Sequence, residues 1–164
     1  MKGSQLAVKL ALTPGGAAVD RFCVRYLGYS PVSWVFARSE GVAYNRPLLL
    51  VSVGRRTGKE RAVVLPHFRA GAGRIAVVGS RGGMPTDPYW ARNLRAHPEA
   101  HVILGRREHR VRTHLAQGEE RARLWREIVL RSPVYGVYQE RAKGQREIPV
   151  FVIERADGGV LEAP

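Results

Sequence analysis

The sequence predicts a mainly β domain of the α+β class, an antiparallel barrel of about six strands with helical insertions. Three observations lead there. Apolar runs of strand length follow one another from residue 46 onward, most of them joined by short turns. Two or three helical patterns lie between them without regular alternation, which argues against a doubly wound parallel sheet. The chain has 164 residues, 45% of them hydrophobic, enough for one domain with a real core.

Residues 1–16 show no pattern, and Thr13-Pro14-Gly15-Gly16 reads as a breaker. Val19, Phe22, Cys23, Tyr26 and Leu27 then recur at i, i+3, i+4, i+7 and i+8, which makes one apolar helix face. Asp20, Arg21 and Arg25 fall mostly off that face. Gly28 and Pro31 end the helix, and Trp34-Val35-Phe36 adds a greasy segment near Arg38. Residues 1–45 are therefore expected to form a helical segment covering the barrel or its pocket, 46–155 the barrel, and 156–164 a loose tail.

Pro47–Val53 is the first strand. Arg61–Arg69 is the next, expected to pair with Arg74–Gly79 across the Ala70–Gly73 turn. Asp87–Ala96 reads as a short helix, with Asp87 as its cap, Pro88 in its first turn and His97-Pro98 as its stop. Ala100–Leu104 and Glu108–Leu115 form a hairpin around Gly105-Arg106-Arg107. Gly118–Arg131 is a helix broken by Ser132-Pro133, Tyr135–Lys143 is a polar segment with aromatics, and Ile148–Glu154 is the last strand.

The formal net charge is +13 and the pI about 11.0, which favours polyanions, anionic lipid surfaces or negatively charged small ligands. Cys23 is the single cysteine, so no internal disulfide forms. No apolar run approaches the ~18 residues of a spanning helix. The run Leu6–Leu12 is interrupted by Lys9 and is short for a signal sequence. The expected location is cytoplasmic, with peripheral contact at the inner membrane surface as an option: Val19–Leu27 and Trp34-Val35-Phe36 are flanked by Arg21, Arg25 and Arg38.

Charge concentrates in Gly54-Arg55-Arg56-Thr57-Gly58-Lys59-Glu60-Arg61, four cations and two glycines directly after an apolar strand. Such a loop is expected to offer backbone N–H groups and cations to a phosphate. Ser80-Arg81-Gly82-Gly83 follows the strand Arg74–Gly79 in the same way. Two such loops suggest one anionic ligand gripped twice. The first is not a nucleotide-binding P-loop, since only three residues separate Gly54 from Gly58 and Glu60 stands where Ser or Thr is required. No G-x-G-x-x-G precedes a helix, and Gly71-Ala72-Gly73 reads as a hairpin turn. His97 and His101 are separated by Pro98, so they share no continuous helix face for a metal. No G-x-S-x-G elbow exists. Nucleic-acid binding finds no support in an RNP, zinc or helix-turn-helix pattern. Trp90 and Trp125 sit on helical apolar faces, where core packing is the ordinary role.

Three motifs in order carry a resemblance: Leu48-Leu49-Leu50 leading into Gly54-Arg55-Arg56-Thr57-Gly58, then Ser80-Arg81-Gly82-Gly83, then Asp87-Pro88-Tyr89-Trp90-Ala91-Arg92-Asn93-Leu94 with Ala96-His97-Pro98. Together they resemble the deazaflavin-dependent nitroreductase family, the A-type branch of the flavin/deazaflavin oxidoreductases, from about residue 34 to 153. The resemblance implies a split β-barrel and coenzyme F420, whose phospholactyl and polyglutamate tail is anionic. It implies that Arg55, Arg56, Thr57, Gly58, Lys59 and Arg61 hold that tail. It sets Ser80, Arg81, Gly82 and Gly83 on the cofactor's other side, with Pro88, Tyr89, Trp90 and Asn93 walling the groove. Val63, Val64 and Val78 pass near the ring, and Val63 and Val64 depart from the polar residue and proline often found in relatives. Tyr135 and Tyr138 are the implied catalytic donors on the substrate side, or else they simply close the pocket.

The implied activity is hydride transfer from reduced deazaflavin to an apolar, electron-poor acceptor such as a quinone, enone or nitroaromatic. The alternatives are a non-catalytic deazaflavin or apolar-ligand binder, and an FMN-dependent split-barrel reductase. The expected partner is a small apolar acceptor, with an anionic membrane surface as an option and no nucleic acid, and the chain is a monomer or homodimer.

Overall fold

The structure, a computed structural model, describes Lys9, residues 13–40 and residues 44–161. Most of the patternless stretch at the start and the last three residues of the expected tail lie outside these. Seven antiparallel strands form one sheet: β1 (Leu48–Val53), β2 (Glu60–Leu65), β3 (Phe68–Gly71), β4 (Arg74–Val78), β5 (Glu99–Leu104), β6 (Arg107–Leu115) and β7 (Val150–Arg155). Their order is β2-β1-β5-β6-β7-β4-β3. Five helices among the described residues accompany it: α1 (Pro14–Phe22), α2 (Pro31–Glu40), α3 (Tyr89–Ala96), α4 (Gly118–Arg131) and α5 (Val134–Ala142).

The expected barrel with helical insertions is the observed architecture, with one strand more. The run Arg61–Arg69 does not stay one strand. Pro66 lacks the N–H a ladder needs, and the chain bends at Pro66-His67 into β2 and β3. The first half pairs with β1, from Leu48 opposite Leu65 to Val53 opposite Glu60. Only the second half pairs with β4, through Phe68 opposite Ala76 and Gly71 opposite Arg74. β2 and β3 are the two edges of the sheet, yet only two residues connect them. Three Cα–Cα steps reach at most about 11 Å, so the sheet must curl until its edges nearly meet. The result is a barrel with a split.

Strand alternation sorts the side chains onto two surfaces. Leu48, Leu50, Ile75, Val77, Val102, Leu104, Val111, Phe151 and Ile153 fill the interior, with Trp90 and Leu94 of α3 plugging it. Outside β4 and β7, Val78, Val150 and Val152 pack against Leu124 and Ile128 of α4 and Tyr135 and Ala142 of α5. Outside β1 and β5, Leu49, Val51 and Ile103 receive Val24. Leu161 of the expected loose tail is buried, and its N–H donates to Gly73 O at 2.7 Å.

Two local expectations are corrected. Thr13-Pro14-Gly15-Gly16 starts a helix rather than breaking one: Thr13 Oγ1 accepts from Gly16 N at 3.0 Å, and Pro14 needs no donor in the first turn. α3 is not capped by Asp87; Pro88 holds the cap position without a side-chain bond. The Asp87 carboxylate instead binds Arg146 at 2.8 Å and Arg95 at 3.2 Å.

The N-terminal apolar stripe also faces the other way. α1 continues through a π-turn, Cys23–Leu27, closed by Gly28 at φ +66°. Its inward residues are Asp20 and Val24, while Val19, Phe22, Tyr26 and Leu27 are each 58–61% exposed. Hydrogen bonding decides the orientation. Asp20 Oδ1 accepts from Ser30 Oγ at 2.8 Å and Val32 N at 3.3 Å, at the start of α2. Ser30 N donates to Tyr44 Oη at 3.0 Å. A buried carboxylate bound in this way cannot be turned out without leaving those groups unpaired.

Candidate functional site

Four antiparallel pairings separate β1 from β4, so the two strands run in the same direction and their C-terminal ends lie at one rim. Along a flat sheet they would be about 19 Å apart; curling brings them together across the split. At that rim β2 is bound only to β1, and Val77 and Val78 have no partner on the β3 side. The free edge of β2, which carries Val63 and Val64, and the end of β4, which carries Val78, thus leave a groove between the strands. Both cationic loops open onto its rim.

The first loop is a cationic display rather than an amide cradle. Gly54 N donates to Lys59 O at 2.8 Å, and Thr57 N and Gly58 N both turn back to Gly54 O at 3.1 and 2.8 Å. Lys59 N is 3.4 Å from Thr57 Oγ1, and Arg55 N donates to Asn93 Oδ1 at 3.2 Å. A Cβ on Gly54 would lie 2.8 Å from Thr57 Oγ1, so the tight turn demands glycine. With five of its amides consumed, the loop offers chiefly side chains. Arg55, Arg56, Lys59 and Arg61 are all exposed, and none joins an ion pair among the described residues. The Arg56 N–H is the loop amide left without an acceptor among the described residues.

The second loop has the opposite character. The N–H groups of Ser80, Arg81 and Gly82 meet no acceptor among the described residues. Its carbonyls are gripped by Arg146: Nη1 donates to Gly79 O at 3.1 Å, Nη2 to Ser80 O at 2.7 Å and Nε to Met84 O at 2.9 Å. Gly83 packs under α5, where a Cβ would lie 2.6 Å from Tyr138 O. Sequence reasoning missed Arg146, because nothing in Gly144-Gln145-Arg146 marks it until the fold brings it to residues 79–87.

Helix α3 joins the loops. Asn93 is buried, accepting from Arg55 N and donating from Nδ2 to Ser52 Oγ at 3.5 Å. Trp90 is core, edge-on to Phe151 at 5.8 Å. Tyr89 is 73% exposed beneath the Arg92 guanidinium, and Pro88 is half-buried. Of these four, Tyr89 and Pro88 face outward, whereas Asn93 and Trp90 face the barrel.

Tyr135 and Tyr138 lie on α5. The Tyr135 ring packs edge-on against Phe68 at 5.6 Å and Tyr138 at 6.0 Å, in the cluster that holds Val78. Burial, and then the neighbouring Tyr138, push the Tyr135 phenol up to about 12. Tyr138 is half-buried, with Arg141 over its ring. At the joint between β2 and β3, His67 Nδ1 is buried and unpaired among the described residues, and burial holds its pKa below the ordinary value. The sequence offered no signal for it.

The donor set fits a cofactor with an anionic tail. Four unpaired cations and three free amides lie at one rim of an apolar groove, and no described carboxylate pairs with those cations.

A family model described as F420H(2)-dependent quinone reductase matches residues 34–155. An F420H(2)-dependent quinone reductase of Mycobacterium tuberculosis (strain ATCC 25618 / H37Rv) is 35% identical over 112 residues, 66% of this chain and 72% of its own. Another protein of that organism, named for the same reaction, is 31% identical over 117 residues, 69% of this chain and 95% of its own. A solved structure described as an F420-H2 dependent reductase (FDR-A) superposes with a TM-score of 0.59 at 34% identity, covering 66% of this chain and 93% of that one. One described as a domain-swapped dimer gives 0.59 at 32% identity, covering 76% and 100%.

The raised phenol of Tyr135 has a consequence for stability. Above its ordinary value of 10.0 the unfolded chain loses this proton, while the folded protein keeps it to about 12. The unfolded state then binds fewer protons, so stability falls as pH rises through this window, by about 1.4 kcal/mol per unit. Urea unfolding at a series of alkaline pH values should show a steeper fall in the native chain than in Tyr135→Phe, which keeps only the contribution of Tyr44, whose phenol burial also raises.

Proposed function

Because the chain belongs to the F420H(2)-dependent quinone reductase family, we propose that it binds coenzyme F420 in the split and transfers hydride from the reduced coenzyme to a quinone. The observation that supports this most is the juxtaposition of an open apolar groove with two cationic loops at one rim. The relatives are named for a quinone, which puts it ahead of the enones and nitroaromatics that share its electron demand.

Arg55, Arg56, Lys59 and Arg61 would hold the tail, in a loop shaped by Thr57 and Gly58. Val63, Val64 and Val78 would border the ring, and Tyr89 and Pro88 would close the outer side. When bound, reduced F420 supplies a two-electron hydride donor, and the protein supplies position and exclusion of water. Negative charge that develops on the acceptor oxygen calls for a hydrogen-bond donor. Tyr135 and Tyr138 are the candidate donors, and burial pushes the Tyr135 phenol up to about 12.

Oxidised F420 should quench or shift fluorescence on binding, while FMN, with its shorter tail, should bind more weakly; equal affinity for both would favour the FMN-dependent reading. Arg56→Ala should weaken F420 binding by ~1.5–3 kcal/mol, as for a lost charge-assisted hydrogen bond. Tyr135→Phe and Tyr138→Phe report on the donor: whichever supplies it should slow single-turnover hydride transfer at least about tenfold with coenzyme affinity unchanged. Unaltered rates in both would leave these rings as pocket walls. Binding without turnover on any quinone would favour a coenzyme carrier.

The outward stripe of α1 and the π-turn, with Arg21 beside it and Arg25 paired to Glu108 at 3.3 Å, supports docking on an anionic membrane from which a lipid-soluble quinone reaches the groove. No described helix is long and apolar enough to cross a membrane. The native chain should float with anionic vesicles, and Phe22→Asp with Leu27→Asp should stay behind with coenzyme binding intact. A native chain that fails to float removes the membrane from the proposal. The chain is a monomer or homodimer in this reading.

A further inference from the structure

Resting on the reading that a quinone is reduced in this groove, we infer that His67 is a further catalytic residue, a neutral imidazole that donates a hydrogen bond from Nε2–H to a carbonyl oxygen of the quinone. β3 begins by pairing Phe68 with Ala76. One step on from that pair, His67 stands level with Val77, where β2 and β3 part and the groove closes. Phe68 and Ala76 belong to the cluster under α4 and α5. Alternation therefore sets His67 on the opposite surface, the one that carries Val77 and, before Pro66, Leu65. Among these aliphatic side chains His67 brings the polar group.

The imidazole has no partner in the protein. Two buried side-chain nitrogens among the described residues lack a hydrogen bond, Arg121 Nε and His67 Nδ1. Arg121 Nε still has the Glu147 carboxylate at 3.0 Å. His67 has neither a hydrogen bond nor an ion pair among the described residues. A buried polar group left in that state calls for a reason, and a ligand supplies one. Burial also selects the tautomer. A proton on Nδ1 would be a donor shut away from water with no acceptor, whereas a proton on Nε2, the nitrogen that is not walled in, can meet water or a ligand oxygen. The imidazolium needs protons on both nitrogens, so the same burial disfavours it and holds the pKa below its ordinary value.

A neutral imidazole polarises a carbonyl without giving its proton away. Negative charge builds on the quinone oxygen as hydride arrives, and a donor already in place stabilises it without reorganisation. The quinone takes up one hydride and one proton, both given up by the reduced coenzyme, and becomes the hydroquinone; the imidazole keeps its own proton. Tyr135 and Tyr138 lie in the cluster that holds Phe68, so His67 serves from a different wall.

The test uses the native chain with oxidised F420 and menadione, a soluble naphthoquinone; both are oxidised, so no turnover occurs. In protein with isotope-labelled histidine, His67 should give the signals of a neutral Nε2–H imidazole, and these should shift saturably as menadione is added. Signals that coenzyme alone moves and menadione leaves still, or that neither moves, would overturn the assignment. In turnover, His67→Phe, which keeps a ring and loses the donor, should lower kcat/KM for menadione at least about tenfold with F420 affinity within about twofold. His67→Gln, whose amide nitrogen can stand near the place of Nε2, should recover most of that loss. A phenylalanine variant with native kcat/KM, or a glutamine variant no better than it, would overturn the donor role. Should the phenylalanine variant not fold, the titration of the native chain decides alone. A native chain that binds no F420 would sink the proposed function instead, and menadione added to the free chain would then decide His67 by the same signals.

Discussion

The fold turns on a short piece of chain. Pro66 and His67 connect the two outermost strands of a seven-stranded sheet, and two residues cannot reach across an open sheet. The sheet must therefore curl into a barrel. The same joint prevents the barrel from closing. The run from Glu60 to Gly71 gives its first half to β1 and only its second half to β4. At the rim where β1 and β4 both end, the ladder has a gap. Curvature and groove are two results of one constraint, and the cationic loops stand at the groove because the strands that precede them end there.

Charge is then distributed by how each loop satisfies its own backbone. The first loop folds on itself and ties one amide to Asn93, so its free polar groups are mainly arginine and lysine heads in water. Such charges attract an anionic ligand from a distance but fix no geometry. The second loop has its carbonyls taken by a buried guanidinium and its amides left over. Helix α3, plugging the barrel with Trp90 and Leu94, ties both loops to the core through Asn93 and Asp87.

The N-terminal helix shows how a single polar residue can reverse an amphipathic pattern. Its apolar stripe has the periodicity of a buried face, yet Asp20 lies inward because Ser30 and the start of α2 need its carboxylate. Exposing Val19, Phe22, Tyr26 and Leu27 costs less than stranding those hydrogen bonds. Helix α1 packs along β2, the strand that borders the groove, so the stripe faces outward beside the entrance.

The amino-acid sequence by itself determined the antiparallel barrel, most strand limits, three of the five helices among the described residues and the two glycine-bearing cationic loops. All of these rest on local patterns: alternation, helical period, turn residues and charge clustering within a few positions; the family rested on the resemblance carried by three motifs in their order. The break at Pro66-His67 was also local, but its meaning was not, since only the sheet order reveals that it joins opposite edges. Tertiary structure alone decided that Arg146 binds a loop more than sixty residues away, that Asp87 serves that arginine instead of capping a helix, and that Tyr89 faces out. It also decided which way the first helix turns. A side chain's periodicity states which neighbours share its face; which partner lies opposite that face depends on contacts between residues far apart in the chain.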